Sequence, residues 1–251
     1  MSEWNEAALS NAIDQLPPEV RDVLARHHFD RERWLSQGRP LHAGEEAKLP
    51  IDDIEPPRPE DLARLPEPGT PRHAELTALG EAALRAGQCA LVVLAGGMAT
   101  RMGSVVKALV DALDGKSFLD LRLAEQAHLG KKYGAVPPLW LMTSPSTEQG
   151  IDGALAGKKK ADELATFPQS VSLRWTPRGE IVRDDEGHVS IYGTGHGDLP
   201  EALQKSGLLD RFVERGGRYV QVCNIDNVGA GLDPLLIGLH IDGQSAISCE
   251  V

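Results

Sequence analysis

The apolar run Cys89-Ala90-Leu91-Val92-Val93-Leu94 passes directly into Ala95-Gly96-Gly97, and no other stretch restricts the possible folds as strongly. After Gly87 the chain becomes a series of short apolar runs separated by Gly-rich turns and helical patterns, which is the signature of α/β alternation. Glycines placed straight after a parallel strand let backbone N–H groups approach a phosphate or base where a Cβ would collide. Open α/β sheets bind their ligands in the crevice at the carboxyl ends of such strands. On its own, Ala95-Gly96-Gly97 suits a tight turn equally well.

Strands are expected at Cys89 to Ala95, Leu139 to Thr143, Val171 to Arg174, Tyr219 to Asn224 and Ala246 to Cys249. Helical patterns between them run from Ser117 to Leu129 with Ser117 as N-cap, from Leu199 to Ser206 closed by Gly207, and from Asp233 to Asp242 closed by Gly243. The expected fold is α/β, a Rossmann-like, mostly parallel sheet flanked by helices. Before it, Leu9, Ala12, Ile13 and Leu16 repeat at helical spacing, Pro17-Pro18 interrupts, and Val20, Val23 and Leu24 begin a second helix. Prolines at 50, 56, 57, 59, 66, 68 and 71 make the next stretch an extended strap, and Leu76, Leu79 and Ala83 mark a helix ending near Gly87. The expected division is a helical and Pro-rich region over 1–86 and a nucleotide-binding catalytic domain over 87–251.

With 37 acidic against 26 basic residues the formal charge is -11, which disfavours nucleic acid as a partner. The run Lys158-Lys159-Lys160 reads first as a solvated loop or helix end. Cys89, Cys223 and Cys249 lack metal-ligand spacing and lie in or beside apolar runs, so they read as buried reduced thiols. No apolar run approaches the roughly 20 residues of a membrane helix, and no secretory pattern opens the chain. The expected location is cytoplasmic, with no membrane partner.

Two more constellations carry chemistry. Gly193-Thr194-Gly195-His196-Gly197-Asp198 leads into Leu199-Pro200; its glycines allow close backbone approach, and Pro200 suits the first turn of a helix whose N-terminus favours an anion. A lone histidine there also serves as a structural hydrogen-bonder. The strand Tyr219 to Asn224 ends in Asn224-Ile225-Asp226-Asn227, placing a carboxylate where it can hold Mg²⁺ together with substrate phosphates. Asx-turn or helix-cap duty is the alternative. The first loop has neither GxGxxG order nor GxxxxGK[ST], which disfavours a dehydrogenase or P-loop NTPase.

Taken in order, Gly96-Gly97, Lys107, Phe118-Leu119-Asp120-Leu121, Phe167-Pro168-Gln169-Ser170, Gly195-His196-Gly197-Asp198 and Asn224-Ile225-Asp226-Asn227 resemble the motifs of the UTP:glucose-1-phosphate uridylyltransferase family. The resemblance spans about Leu91 to the C-terminus. Two departures stand out: Ala99 replaces a loop glycine, and the spacer before Lys107 lacks the usual Gly-Pro. The family's relatives continue past the point where this chain ends, so a fragment or a minimal relative is expected.

The resemblance implies in-line attack of a sugar-1-phosphate on the α-phosphorus of UTP, with Mg²⁺ as cofactor and pyrophosphate leaving. It implies Lys107, Arg101 and His196 around the reacting phosphates, with Lys107 neutralising the triphosphate and His196 on the sugar-phosphate side. It also implies uracil recognition by Gly97, Gln169 and Gly195, further substrate contacts from Ala95, Gly96 and Asn224, and Mg²⁺ on Asp226. UDP-glucose is the expected product, with a UDP-N-acetylhexosamine pyrophosphorylase or a non-catalytic UTP-binding module as the alternatives.

Overall fold

The computed structural model describes residues 5–43, 54–99, 105–158, 160, 162–176 and 179–250. They form two compact units, each assembled from two stretches of chain: residues 1–61 with 168–199, and residues 62–167 with 200–251. In chain order the elements are α1 (Glu6–Asp14), α2 (Pro18–Arg26), α3 (Arg31–His42), α4 (Pro71–Arg85), β1 (Cys89–Leu94), β2 (Met98–Ala99), β3 (Val105–Val106), β4 (Asp111–Leu113) and β5 (Lys116–Ser117). They continue with α5 (Phe118–Tyr133), β6 (Leu139–Thr143), α6 (Glu148–Ala154), β7 (Leu164–Pro168), β8 (Val171–Leu173), β9 (Ile191–Gly193), α7 (Leu199–Lys205), α8 (Leu208–Glu214), β10 (Tyr219–Asn224) and α9 (Pro234–Gly243).

The second unit holds the sheet, in the order β10-β1-β6-β7. β1 pairs in parallel with β10, from Cys89 opposite Tyr219 to Leu94 opposite Asn224, and in parallel with β6 from Leu91 opposite Leu139. This register brings the carboxyl ends of three strands level. Leu91, Val93, Leu139, Leu141 and Cys223 pack with Ala83 and Leu84 of α4, Leu119 and Leu129 of α5 and Ile237 of α9. Trp140, between Leu139 and Leu141, points to the opposite sheet face, where its ring meets Phe212 of α8 edge-on at 5.5 Å. Helices therefore cover both faces, as continuous apolar strands require.

α4 and α9 pass unusually close and antiparallel. A Cβ on Gly80 would lie 2.7 Å from the carbonyl carbon of Pro234, and one on Gly238 would lie 2.6 Å from that of Leu76. α4 leads into β1 and α9 follows the end of β10, so this contact clamps the chain before one of these adjacent strands and after the other. α5 starts on a full capping box: the Ser117 hydroxyl accepts from the Asp120 N–H, and the Asp120 carboxylate accepts from the Ser117 N–H.

The first unit packs α1 to α3 around Ile13, Leu16, Leu24 and Trp34, together with Val171 and Leu173. Trp34 stacks on Trp175 at 3.6 Å and donates from Nε1 to the Leu173 carbonyl. Between Ile54 and Thr70 a single short 3₁₀ turn, Pro59–Asp61, interrupts otherwise irregular chain, as its prolines dictate.

Several expectations need correction. Val171–Leu173 is not a member of the parallel sheet; it pairs antiparallel with Ile191–Gly193 in the first unit. Residues 246–249 form no strand, and Cys249 is exposed, so only Cys89 and Cys223 are the buried thiols expected. Gly207, with φ of 69°, follows the last turn of α7 as expected and also caps the start of α8, whereas the left-handed residue closing α9 is Gln244, not Gly243.

Candidate active site

At the level ends of β1, β6 and β10 the second unit gathers its polar groups. Ala95 is fully buried and its N–H donates to the Met142 carbonyl, which spends its backbone donor on the sheet. Gly96 and Gly97 rise out of the sheet from there. The Ser144 hydroxyl, itself buried at the end of β6, donates to the Gly96 carbonyl at 2.9 Å and fixes the start of the loop.

β2 and β3 then pair antiparallel, Met98 opposite Val106, and return the chain to the same place. The Lys107 N–H donates to the Gly97 carbonyl at 3.2 Å. The hairpin is how a lysine so far along the sequence comes back beside the glycines. Its Nζ stands 3.1 Å from Oδ2 of Asp226, just past the end of β10, and both side chains are part-exposed. Asn224 ends β10 on an exposed position. Lys107, Gly97 and Asp226 are thus brought together; Arg101 lies outside the described residues, as does Lys159 of the lysine run.

Gln169, Gly195 and His196 belong to the first unit. Gln169 is 8% exposed, and His27 Nδ1 stands 3.3 Å from its backbone carbonyl. A Cβ on Gly193 would lie 2.7 Å from the Gln169 amide carbon, so the glycine leaves the room that this side chain fills. The hydroxyl of neighbouring Ser170 is buried without a partner among the described residues. Asp198 holds this segment to the glycine-rich loop: its Oδ2 accepts from the Ser170 N–H at 2.9 Å and from the Thr194 hydroxyl at 2.7 Å. Gly195 has φ of 102°, a conformation glycine takes without strain, and begins a 3₁₀ turn that leaves His196 exposed.

Three structural supports escape a reading of the sequence: Ser144, Asp198 and Arg122, a buried arginine beneath the Asp226 turn. Asp198 is visible within its motif but reads there as a polar loop residue. Among the described residues no group of three or more His, Cys, Asp or Glu side chains forms a self-sufficient metal cage. No helix among them is long and apolar enough to cross a membrane.

A family model described as UTP–glucose-1-phosphate uridylyltransferase matches residues 37–251. A probable UTP–glucose-1-phosphate uridylyltransferase of Schizosaccharomyces pombe is 30% identical over 98% of this chain and 49% of its own length. The corresponding protein of Musa acuminata is 31% identical over 82% of this chain and 42% of its own. Among solved structures, a uridine diphosphate N-acetylglucosamine pyrophosphorylase of Trypanosoma brucei superposes with a TM-score of 0.73 at 22% identity, covering 97% of this chain and 53% of that one. A UDP-glucose phosphorylase of the same organism gives 0.68 at 24%, covering 95% and 48%. The chain spans about half the length of the curated relatives it matches.

Proposed function

Because the chain belongs to the UTP–glucose-1-phosphate uridylyltransferase family, we propose that it carries the UTP site of a nucleotidyltransferase that joins UTP to a sugar-1-phosphate and releases pyrophosphate. The observation that carries this reading is the pairing of Lys107 Nζ with Asp226 Oδ2 at 3.1 Å, beside the Gly96-Gly97 loop at the carboxyl ends of adjacent parallel strands. Phosphoryl and nucleotidyl transfers depend on positioning and charge neutralisation more than on covalent catalysis. Among the described residues this site offers one flexible cation, one carboxylate and exposed backbone, suited to that demand.

Lys107 serves as the cation that accepts the triphosphate, releasing Asp226 as the phosphate displaces it. Mg²⁺ fits the donor set: one carboxylate with open solvent around it suits an ion that takes most of its ligands from phosphate and water, whereas a dedicated cage is absent among the described residues. Held by Asp226, it would neutralise phosphate charge and orient the oxygens. Gln169 supplies a side-chain amide able both to donate and to accept, the pairing that the edge of uracil requires. Within the second unit, Gly97, Gly96, Ala95 and Asn224 frame the nucleotide; within the first, Gly195 and exposed His196 are the further groups that the family resemblance assigns to substrate.

Glucose-1-phosphate is the favoured acceptor, supported by Gly195-His196-Gly197 and Cys223-Asn224-Ile225-Asp226-Asn227, whose pattern is closer to the glucose-type enzymes than to N-acetylhexosamine ones. Pyrophosphate release from UTP and Mg²⁺ is the test, run in parallel with glucose-1-phosphate and N-acetylglucosamine-1-phosphate. Release selective for glucose-1-phosphate is the expected result; selectivity for the N-acetylated sugar overturns the acceptor, and UTP binding without release makes the chain a binding module.

A further inference from the structure

Arg122 is the most deeply buried charged side chain among the described residues, at 1% exposure, and the proposed chemistry makes no use of it. It projects from α5 on the stripe that also holds Leu119, Leu129 and Tyr133. A guanidinium in such a place needs partners, since an uncompensated buried charge is strongly destabilising. Its Nη1 donates to Glu125 Oε2 at 2.7 Å. Its Nη2 donates to the Asn227 carbonyl at 2.5 Å, with Cys223 Sγ at 3.3 Å and the Asn224 carbonyl at 3.5 Å. Nε has no partner among the described residues.

The two carbonyls bracket Asp226. One belongs to the last residue of β10 and the other closes the turn, where the Asn227 N–H also donates to the Asn224 carbonyl at 3.2 Å. The Asp226 side chain itself stands outside this network, on Lys107. Glu125, held by Arg122, extends the support: a Cβ on Gly231 would lie 3.1 Å from the Glu125 carboxyl carbon, so the chain leaving the turn is packed against it. Replacing a buried ion pair with apolar groups is often neutral for stability. What the guanidinium supplies is a rigid planar group that spends Nη1 on Glu125 while Nη2 faces the carbonyls of Asn227 and Asn224, a geometry a flexible ammonium does not hold.

We propose that Arg122 is a positioning residue, gripping the backbone on either side of Asp226 from beneath and so setting where that carboxylate stands opposite Lys107. The inference rests on reading Asp226 as the group that couples Mg²⁺ to UTP, and it names the residue that makes the coupling possible. Supporting groups behind a metal ligand commonly change metal affinity by roughly ten- to a hundredfold when removed.

The test uses the whole chain with Arg122→Met, of similar length and apolar, and Arg122→Lys, which keeps the charge. UTP is titrated in Mg²⁺ and again in excess chelator, and the ratio of the two affinities measures the coupling. Both variants should lose at least about tenfold in that ratio, approaching Asp226→Asn, while affinity in chelator changes little. Hydrogen exchange without ligand should quicken by about tenfold over 224–229, where bonds to a charged group are lost, and stay unchanged over Leu139–Thr143. A lowered melting temperature with unchanged ratio and unchanged exchange at 224–229 overturns the proposal and leaves Arg122 a structural residue. If Asp226→Asn keeps the parent ratio, it is the metal reading of Asp226 that falls, and the exchange data alone then decide whether Arg122 holds the turn. Arg122→Lys stands in should Arg122→Met not fold.

Discussion

Adding one methyl group at Gly80 should weaken the protein, although the same change in an open helix would strengthen it. Alanine is favoured over glycine in a helix interior by about 1 kcal/mol. At Gly80, however, the new Cβ falls 2.7 Å from the Pro234 carbonyl carbon and closer still to its oxygen; at Gly238 the Leu76 carbonyl presents the same obstacle at 2.6 Å. Both obstacles are backbone in a neighbouring helix, so no side-chain rotation relieves them, and α4 and α9 must part. Overpacking of this kind costs typically about 1–3 kcal/mol, and with two helices displaced the upper part of that range applies. After subtracting the propensity gain, each variant should lose roughly 1–2 kcal/mol, or about 2–8 °C in melting temperature for a chain of this size. Gly153→Ala is the internal control, because Gly153 lies in α6 and an added methyl there meets no other atom within 4 Å; it should gain up to about 1 kcal/mol. Urea unfolding followed by far-UV circular dichroism reads all three. Should Gly80→Ala gain stability as Gly153→Ala does, the close antiparallel contact of α4 and α9 is wrong.

Three further outcomes follow from the site and its supports. Burial pushes the Cys89 thiol up to about 12 and raises that of Cys223, so near pH 8 both are neutral as well as hidden; native iodoacetamide labelling should mark Cys249 alone, and a second label by intact mass would contradict the fold. The Ser117 hydroxyl, with its backbone N–H, holds the Asp120 carboxyl below its usual value. That contribution is therefore present above the ordinary carboxylate range and is lost as pH falls through the depressed one. Ser117→Ala should cost about 0.5–2 kcal/mol near neutral pH, with a gap to the parent that narrows in acid; a gap independent of pH refutes the capping box. Gln169→Ala should weaken UTP binding more than sugar-phosphate binding, and equal losses measured by calorimetry would remove the uracil contact.

The parallel core is legible because its strands are short, continuous apolar runs: Cys89–Leu94, Leu139–Thr143 and Tyr219–Asn224 stand where the runs do. The Ser117 cap is legible because its partner Asp120 is local. What fails involves pairing at a distance. Val171–Leu173 has a strand's composition, yet composition names no partner, and its partner Ile191–Gly193 lies in a different unit from the sheet. β7 ends on Pro168, which hides it, and the apolar stretch before Cys249 finds no neighbour to pair with. Within the site, Gly97, Lys107 and Asp226 stand out separately in the sequence, but only the β2–β3 hairpin explains how the lysine returns to the glycines. Arg122 shares the helical stripe of Leu119 and Leu129, a signal present in the sequence that its charge obscures.

Lys107 and Asp226, facing each other at 3.1 Å beside Gly96-Gly97, are central to the proposed triphosphate site. Calorimetric titration of the chain with UTP in Mg²⁺, repeated with Lys107→Ala, tests that role most directly. UTP should bind the parent, with a loss of at least about tenfold in the variant, the scale of one charge-assisted hydrogen bond. Equal affinity in the two would contradict it.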